Sequence, residues 1–179
     1  MPTTTEVALV DDWSGAALLP SLYQSLRTKR RRHRIVFIGF SAAEVGLVGS
    51  TTYVKRLTKD ERAMIQAMVN LECLGLSPPS VWAHRADKQL LDAYLRVART
   101  LGLPTRAVNV EKVGNDDSAP FLDAKVPVIT FHSITQTTFP ILHSTSDRLS
   151  EINQEQYYDA YHLAALYLAY IDAVVERVD

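Results

Sequence analysis

The chain holds a single cysteine, Cys73, in 179 residues. An intramolecular disulfide is therefore excluded. Because Cys73 lies in an apolar stretch, a buried inert thiol is expected there rather than a nucleophile. No apolar run approaches the roughly 18 residues of a membrane-spanning helix, so no membrane partner is expected. The opening residues, Met1-Pro-Thr-Thr-Thr, show no signal-peptide pattern, and the compartment stays open. An excess of one charge is also lacking. Nineteen basic residues face 20 acidic ones, and a net charge of -1 argues against a nucleic-acid partner. The basic run Lys29 to Arg32, with Arg27 and Arg34, lies between a predicted helix end and a predicted strand start. It reads as a solvated turn with cations at a helix C-terminus rather than as an anion-binding patch. No internal repeat or low-complexity segment stands out. The chain is 47% hydrophobic, enough for one sizeable core, and residues 1–179 read as one domain.

Periodicity then sets the elements. Ala17, Leu18, Leu22 and Leu26 recur at helical spacing within residues 15–29. Residues 34–40 form an apolar run that predicts a buried strand, and residues 45–57 predict a helix. Strands are expected over 67–72, 80–83, 106–110 and 126–131, the last of buried, β-branched type. An amphipathic helix over 88–101 is closed by Gly102 with Pro104 beyond it. A long helix over 153–178 places Tyr157, Tyr161, Ala164, Leu168 and Ile171 on one face. This alternation predicts an α/β fold, with a mostly parallel central sheet covered by helices on both faces. Two loops rich in turn residues, 111–120 and 133–150, connect the elements.

Acidic side chains and one imidazole recur where predicted elements give way to loops. They are Asp11 in Val10-Asp-Asp-Trp-Ser-Gly15, Glu44 after the 34–40 run, Glu72 in Asn70-Leu-Glu72, and His143 in His143-Ser-Thr-Ser-Asp147. Open α/β sheets place ligand chemistry at such strand ends, and carboxylate oxygens with an imidazole nitrogen suit zinc. Each residue also has a plainer reading. Glu44, for example, is a first-turn acid favoured by a helix dipole. Asp116 and Asp117 read either as ligand- or substrate-orienting acids or as turn caps. Asp147 reads either as support for His143 or as a turn cap. Trp13 reads either as a pocket wall or as simple packing, and His132 as a hydrogen-bonded histidine rather than a ligand.

In their order, these segments resemble the co-catalytic di-zinc aminopeptidases, a family that includes glutamate carboxypeptidase-type exopeptidases and glutaminyl cyclases. Asp11-Asp12-Trp13-Ser14-Gly15 resembles the family's Asp-Asp-x-Ser-Gly, whose first acid bridges two zinc ions. Glu44-Val-Gly-Leu-Val-Gly-Ser50 resembles Glu-x-Gly-Leu-x-Gly-Ser, whose Glu binds the second zinc. Asn70-Leu71-Glu72 resembles Asn-Leu-Asp, whose acid binds the first. Asp117-Ser-Ala-Pro-Phe121 resembles the Asp-His-x-Pro-Phe loop, and His143-Ser-Thr-Ser-Asp147 resembles His-Thr-x-x-Asp, whose His completes the second zinc. The resemblance runs from about Asp11 to the last helix. It implies a zinc-dependent exopeptidase that acts on peptides or amino-acid derivatives.

Two departures from the pattern accompany the matches. The family carries paired glutamates at the strand end, the first of them the general base, and Ala43 stands at that position. Loss of such a base is expected to cost about 10²–10⁴-fold in rate. The family's His-x-Asp strand also has no counterpart, since no histidine precedes His33. The metal set implied by the resemblance is thus Asp11, Glu44 and His143 for one zinc, with Asp11 and Glu72 left at a second position. Three functions follow as expectations: an exopeptidase impaired at position 43, a non-catalytic scaffold on the same fold, or a glutaminyl-cyclase-like acyltransferase. The domain is read as incomplete. The edge left by the missing strand is expected to be filled by residues 5–10 or by a second copy in a homodimer.

Overall fold

The computed structural model describes residues 9–104, 106–108 and 114–175. Six helices and four strands carry the architecture among these residues: α1 (Trp13–Leu26), α2 (Val48–Arg56), α3 (Lys59–Ala63), β1 (Met68–Glu72), β2 (Ser80–Val81), α4 (Lys88–Thr100), β3 (Arg106–Ala107), α5 (Ala119–Asp123), β4 (Val128–His132) and α6 (Gln154–Val174). Side-chain caps set several of the helix starts. The carboxylates of Asp12 and Asp87 and the amide oxygen of Asn153 accept from backbone N–H groups in the first turns of α1, α4 and α6. Thr58 and Glu61 form a reciprocal capping box on α3. The α2 helix starts later than its sequence suggests, because Gly46 (φ 98°) and Leu47 (φ 56°) hold a left-handed turn ahead of it.

The sheet order is β1-β4-β2-β3. β1 runs parallel to β4 in the register Met68↔Val128 to Glu72↔His132, β2 is antiparallel to β4, and β3 is parallel to β2. The fold is therefore mixed α/β, with one antiparallel pairing at its centre. All five β4 residues are buried. Alternation sends Ile129 and Phe131 into a core shared with Leu22 of α1, Tyr94 of α4 and Tyr167 of α6. The Phe131 ring lies 5.1 Å from Tyr94 and 4.9 Å from Tyr167. Both tyrosine hydroxyls donate to backbone carbonyls, of Pro79 and Leu90 respectively, so neither polar tip is stranded. Val128 instead packs with Val54 of α2 and Phe121 of α5. Thr130 and His132, of the same parity as Val128, turn toward the loops that form the site.

The strand predicted over residues 34–40 is a correction: the segment lies outside every ladder among the described residues. Its aromatics are used all the same. Phe37 meets the edge of Tyr23, and Phe40 packs on Tyr53 and Phe121. The burial expected of the segment is not found either: none of residues 34–40 is fully buried, and Val36 is 55% exposed. A strand also needs a neighbour for its backbone groups, which none supplies here among the described residues. Of residues 5–10, only Leu9 and Val10 are described, and they form a turn. Positions 109–110 of the expected short strand and 176–178 of the last helix also lie outside the described residues. The basic run follows the end of α1, with Arg27 as its C-cap residue and most of the run exposed, and its far end also packs against the end of α6. The Arg32 and His33 backbone N–H groups donate to Asp172, and the Arg32 guanidinium to the Ala173 carbonyl.

Helix α1 lies directly on β1. A Cβ added at Gly15 would sit 2.1 Å from the Leu71 carbonyl oxygen. Alanine is ordinarily the better helix former by about 1 kcal/mol. Gly15→Ala is nevertheless expected to destabilise the protein by about 1–3 kcal/mol, because backbone must move. Chemical denaturation checks the sign, and a stabilised variant would contradict the close approach.

Candidate metal centre

The site is assembled by backbone-directed hydrogen bonds that join distant segments. Asp147 accepts from the Val10 N–H (2.6 Å) and the Asp11 N–H (3.2 Å), which fixes the turn that presents Asp11. Asp147 thus neither caps its own turn nor serves His143. It holds a segment more than 130 positions away. Ser14 Oγ donates to the Val10 carbonyl (2.6 Å) and accepts from the Leu74 N–H (2.8 Å). Asp12 accepts from the Gly15 and Cys73 N–H groups and so ties α1 to the end of β1. The Tyr157 hydroxyl of α6 donates to the Ser14 carbonyl at 2.7 Å. The peptide that joins Asp11 to Asp12 is cis.

Four of the predicted residues converge. His143 Nε2 lies 2.9 Å from Asp11 Oδ2, and its Nδ1 lies 3.5 Å from Glu44 Oε2. One ligand atom each from Asp11, Glu44 and His143 falls within 4.8 Å of the others. A second set with the same spacing is formed by Asp11, Glu72 and Cys73. Asp11 belongs to both. Glu72 ends β1 and accepts from the Asn70 side-chain amide at 3.0 Å. Glu44 and His143 are more than half exposed at the mouth, and Asp11 is only 11% exposed beneath them. Ala43 lines the same cavity as all of these residues.

The remaining candidates separate clearly. Asp116 is buried and receives the Ser118 N–H (3.0 Å), the Ser118 hydroxyl and the Thr130 hydroxyl (2.7 Å), so it anchors its loop to β4. Asp117 lines the cavity, and its Oδ1 is buried without a hydrogen-bond partner. His132 is fully buried. Its Nε2 faces the Val108 carbonyl at 3.0 Å and its Nδ1 accepts from the Ile134 N–H, which makes it a neutral, hydrogen-bonded histidine as expected. Burial also pulls its pKa down. Trp13 is 64% exposed and lines no part of the cavity. The cavity's tryptophan is Trp82, buried beneath the Arg85 guanidinium, which stacks 4.0 Å from its ring centroid. Trp82 follows the two-residue β2, which is too short for an alternation pattern to single it out.

Electrostatics dominates this cavity. Asp11, Asp12, Glu44, Glu72, Asp116 and Asp117 line it, and no lysine or arginine does so among the described residues. Burial pushes the Glu72 carboxyl well above the usual carboxylate range, and the charges of Asp12, Asp116 and Asp11 push it further. Asp12 is raised in the same way, by burial first and then by Asp11, against the lowering effect of the Cys73 N–H. Asp117 is raised by burial and partly offset by the Ser50 hydroxyl. Asp11 is raised by burial and partly offset by His143.

With the fold and this geometry in hand, the comparisons with known proteins agree. The sequence pattern of peptidase family M28 matches residues 2–168, and the chain belongs to that family. Leupeptin-inactivating enzyme 1 of Streptomyces exfoliatus is 30% identical over 127 residues, which are 70% of this chain and 29% of that protein. BSAP, a zinc aminopeptidase from Bacillus subtilis, has a similar structure. Its TM-score is 0.80 at 23% identity, covering 93% of this chain and 42% of that one. A glutaminyl cyclase from an Acidobacteriales bacterium gives a TM-score of 0.71 at 20% identity, covering 96% of this chain and 64% of that one. At these identities the structural likeness is one of fold. The chain spans only 29% and 37% of the length of two curated relatives, the enzyme from Streptomyces exfoliatus and aminopeptidase YwaD from Bacillus subtilis.

The raised carboxyls give a signed pH dependence. Glu72 and Asp12 are held above their unfolded values, which lie near about 4. The stability linked to their neutral forms is complete below those values and is lost as pH rises through the folded values. Chelator-treated protein is therefore expected to melt at progressively lower temperature as pH rises from about 5 toward neutrality, with a shallower slope in Glu72→Gln. A melting temperature that climbed across that interval, equally in both proteins, would contradict the buried-acid reading.

Proposed function

We propose that this chain carries the metal-binding half of a zinc-dependent, aminopeptidase-like hydrolytic site, with peptides or amino-acid derivatives as its substrate class. The observation that carries this reading is the convergence of Asp11, Glu44 and His143, from three separate segments, to within 4.8 Å. The donor set fits zinc: two carboxylates and an imidazole leave a fourth position for water or substrate. A buried Asp117 oxygen without a partner and a cavity wall without lysine or arginine favour a cation in the same place. Zinc, when bound, supplies Lewis-acid polarisation of a carbonyl and a lowered pKa for water. The chain's own part is to hold that ion at the mouth and to exclude water below it with Trp82 and Ile134. Ala43 stands in the wall where the family pattern has its proton acceptor, and a methyl group takes no proton. The chain is accordingly read as impaired in hydrolysis. If it has no hydrolytic role, the same geometry serves a metal-binding scaffold.

The test pairs metal content with activity. Metal-repleted protein should hold zinc that falls by about one equivalent in His143→Ala. Ala43→Glu should raise aminopeptidase turnover by about 10²–10⁴-fold over the unaltered chain. Absence of specific zinc would overturn the reading. Zinc without gain of turnover in Ala43→Glu would favour the scaffold, and cyclisation of an N-terminal glutamine peptide would move the assignment to glutaminyl-cyclase-like chemistry.

The finer architecture belongs to the same proposal. The four strands are read as part of a mostly parallel sheet in a three-layer fold, with a second copy of the chain pairing along the open side of β1. β1 is the outer strand of the described sheet, and an unpaired edge is a template for association. Light scattering should show a mass that approaches twice the monomer as concentration rises. A strict monomer at every concentration would count against the pairing.

A further inference from the structure

We infer that Cys73 Sγ is a metal ligand in this chain, forming with Asp11 and Glu72 a second donor set beside that of Asp11, Glu44 and His143. This rests on the zinc reading above and deepens it. Cys73 follows Glu72 directly, so regular strand alternation would send its side chain to the opposite face of the sheet. The left-handed backbone at Cys73 (φ 47°) breaks that alternation. The thiol returns to the acidic cavity, where it lines the wall and reaches Glu72 Oε1 at 3.7 Å. Zinc–sulfur and zinc–oxygen bonds of about 2.3 and 2.1 Å at a tetrahedral angle place the two ligand atoms about 3.6 Å apart. The observed separation already matches that value.

The surroundings are two-sided. Cys73 is 1% exposed and packs on Val10, Trp82, Ile134 and Leu142. That apolar wall holds the sulfur on the rim of the acids and keeps solvent from it. Asp11, common to both donor sets, would bridge the two ions. Asp117, whose Oδ1 is buried without a hydrogen-bond partner, lines the same cavity. Thiolate, carboxylate and imidazole are all accepted by zinc and by cobalt(II), and a soft sulfur donor favours such ions over magnesium or calcium. Binding exchanges the divalent ion for the thiol proton, which leaves to solvent.

Cobalt(II) titration of the reduced protein tests this without any assay of turnover. The unaltered chain should take up about two equivalents and develop a near-ultraviolet sulfur-to-cobalt charge-transfer band. Cys73→Ser should lose that band and about one equivalent while keeping the visible absorption from Asp11, Glu44 and His143. Cys73→His should keep the second equivalent and lose only the sulfur band, which separates ligand loss from misfolding. The band should survive His143→Ala. Cobalt bound at about one equivalent without a sulfur band would overturn the thiolate assignment and leave the first zinc reading standing. No specific cobalt at all would overturn both.

Discussion

A concentration of negative charge is the constraint on which the site depends. Six carboxylates line one cavity, and the described wall offers no lysine or arginine to neutralise them. Buried acids normally find a cation or lose their charge. Here burial and mutual repulsion push Glu72 and Asp12 toward their neutral forms, and neutral donors hold the acids in place. Asp12 takes backbone N–H groups from Gly15 and Cys73, Glu72 takes the Asn70 amide, and Asp116 takes two hydroxyls and a backbone N–H. Such bonds fix where an oxygen points without cancelling its charge. The arrangement crowds carboxyl oxygens together at a cost in repulsion that grows as they ionise. This is the physical link between the fold and the proposed zinc chemistry.

The cost of that arrangement falls on the long-range structure. The donors come from the start of α1, the turn before α2, the end of β1 and the loop after β4, so no local segment carries the site. Convergence depends on ties between chain regions that are far apart in sequence. Asp147 grips the Val10–Asp11 backbone, and Tyr157 reaches the Ser14 carbonyl. Gly15 lets α1 approach the Leu71 carbonyl closely enough for these bonds to form. The aromatic core of Tyr94, Phe131 and Tyr167 sits on the opposite side of β4. It keeps the strand rigid while Thr130 and His132 face the site loops.

What the sequence made legible follows the range of each signal. Four of the six helices were readable because their apolar spacing is local, and Asp12, Asp87 and Asn153 mark three of the starts, whereas the five-residue α3 and α5 are too short to show a period. The acids at element ends were readable because the resemblance supplied their order along the chain. Residues 34–40 were misread because an apolar run records neither how deeply a segment packs nor whether a partner strand lies beside it. The role of Asp147 was out of reach, since its bonds span most of the chain. Trp13, open in sequence between pocket wall and packing, is 64% exposed and does neither, because a ring beside two acids carries no sign of which way it faces. Cys73 is buried as its apolar neighbours predict, and the left-handed backbone that sets its thiol on the cavity wall leaves no mark in the sequence.

Ala43 then separates two properties that the family pattern joins. Holding a cation requires charge and geometry, and both remain in Asp11, Glu44, Glu72 and His143. Moving a proton requires one further carboxylate at the mouth, and that group is absent. A glutamate at position 43 would add a seventh acid to a cavity already lined by six, and each added charge raises the electrostatic cost of the empty state. Alanine lowers that cost while leaving the donors in place. Under the proposed function, metal affinity and hydrolytic competence are separate quantities: the first depends on how the long-range hydrogen bonds place the acids, and the second on a proton acceptor that Ala43 does not supply.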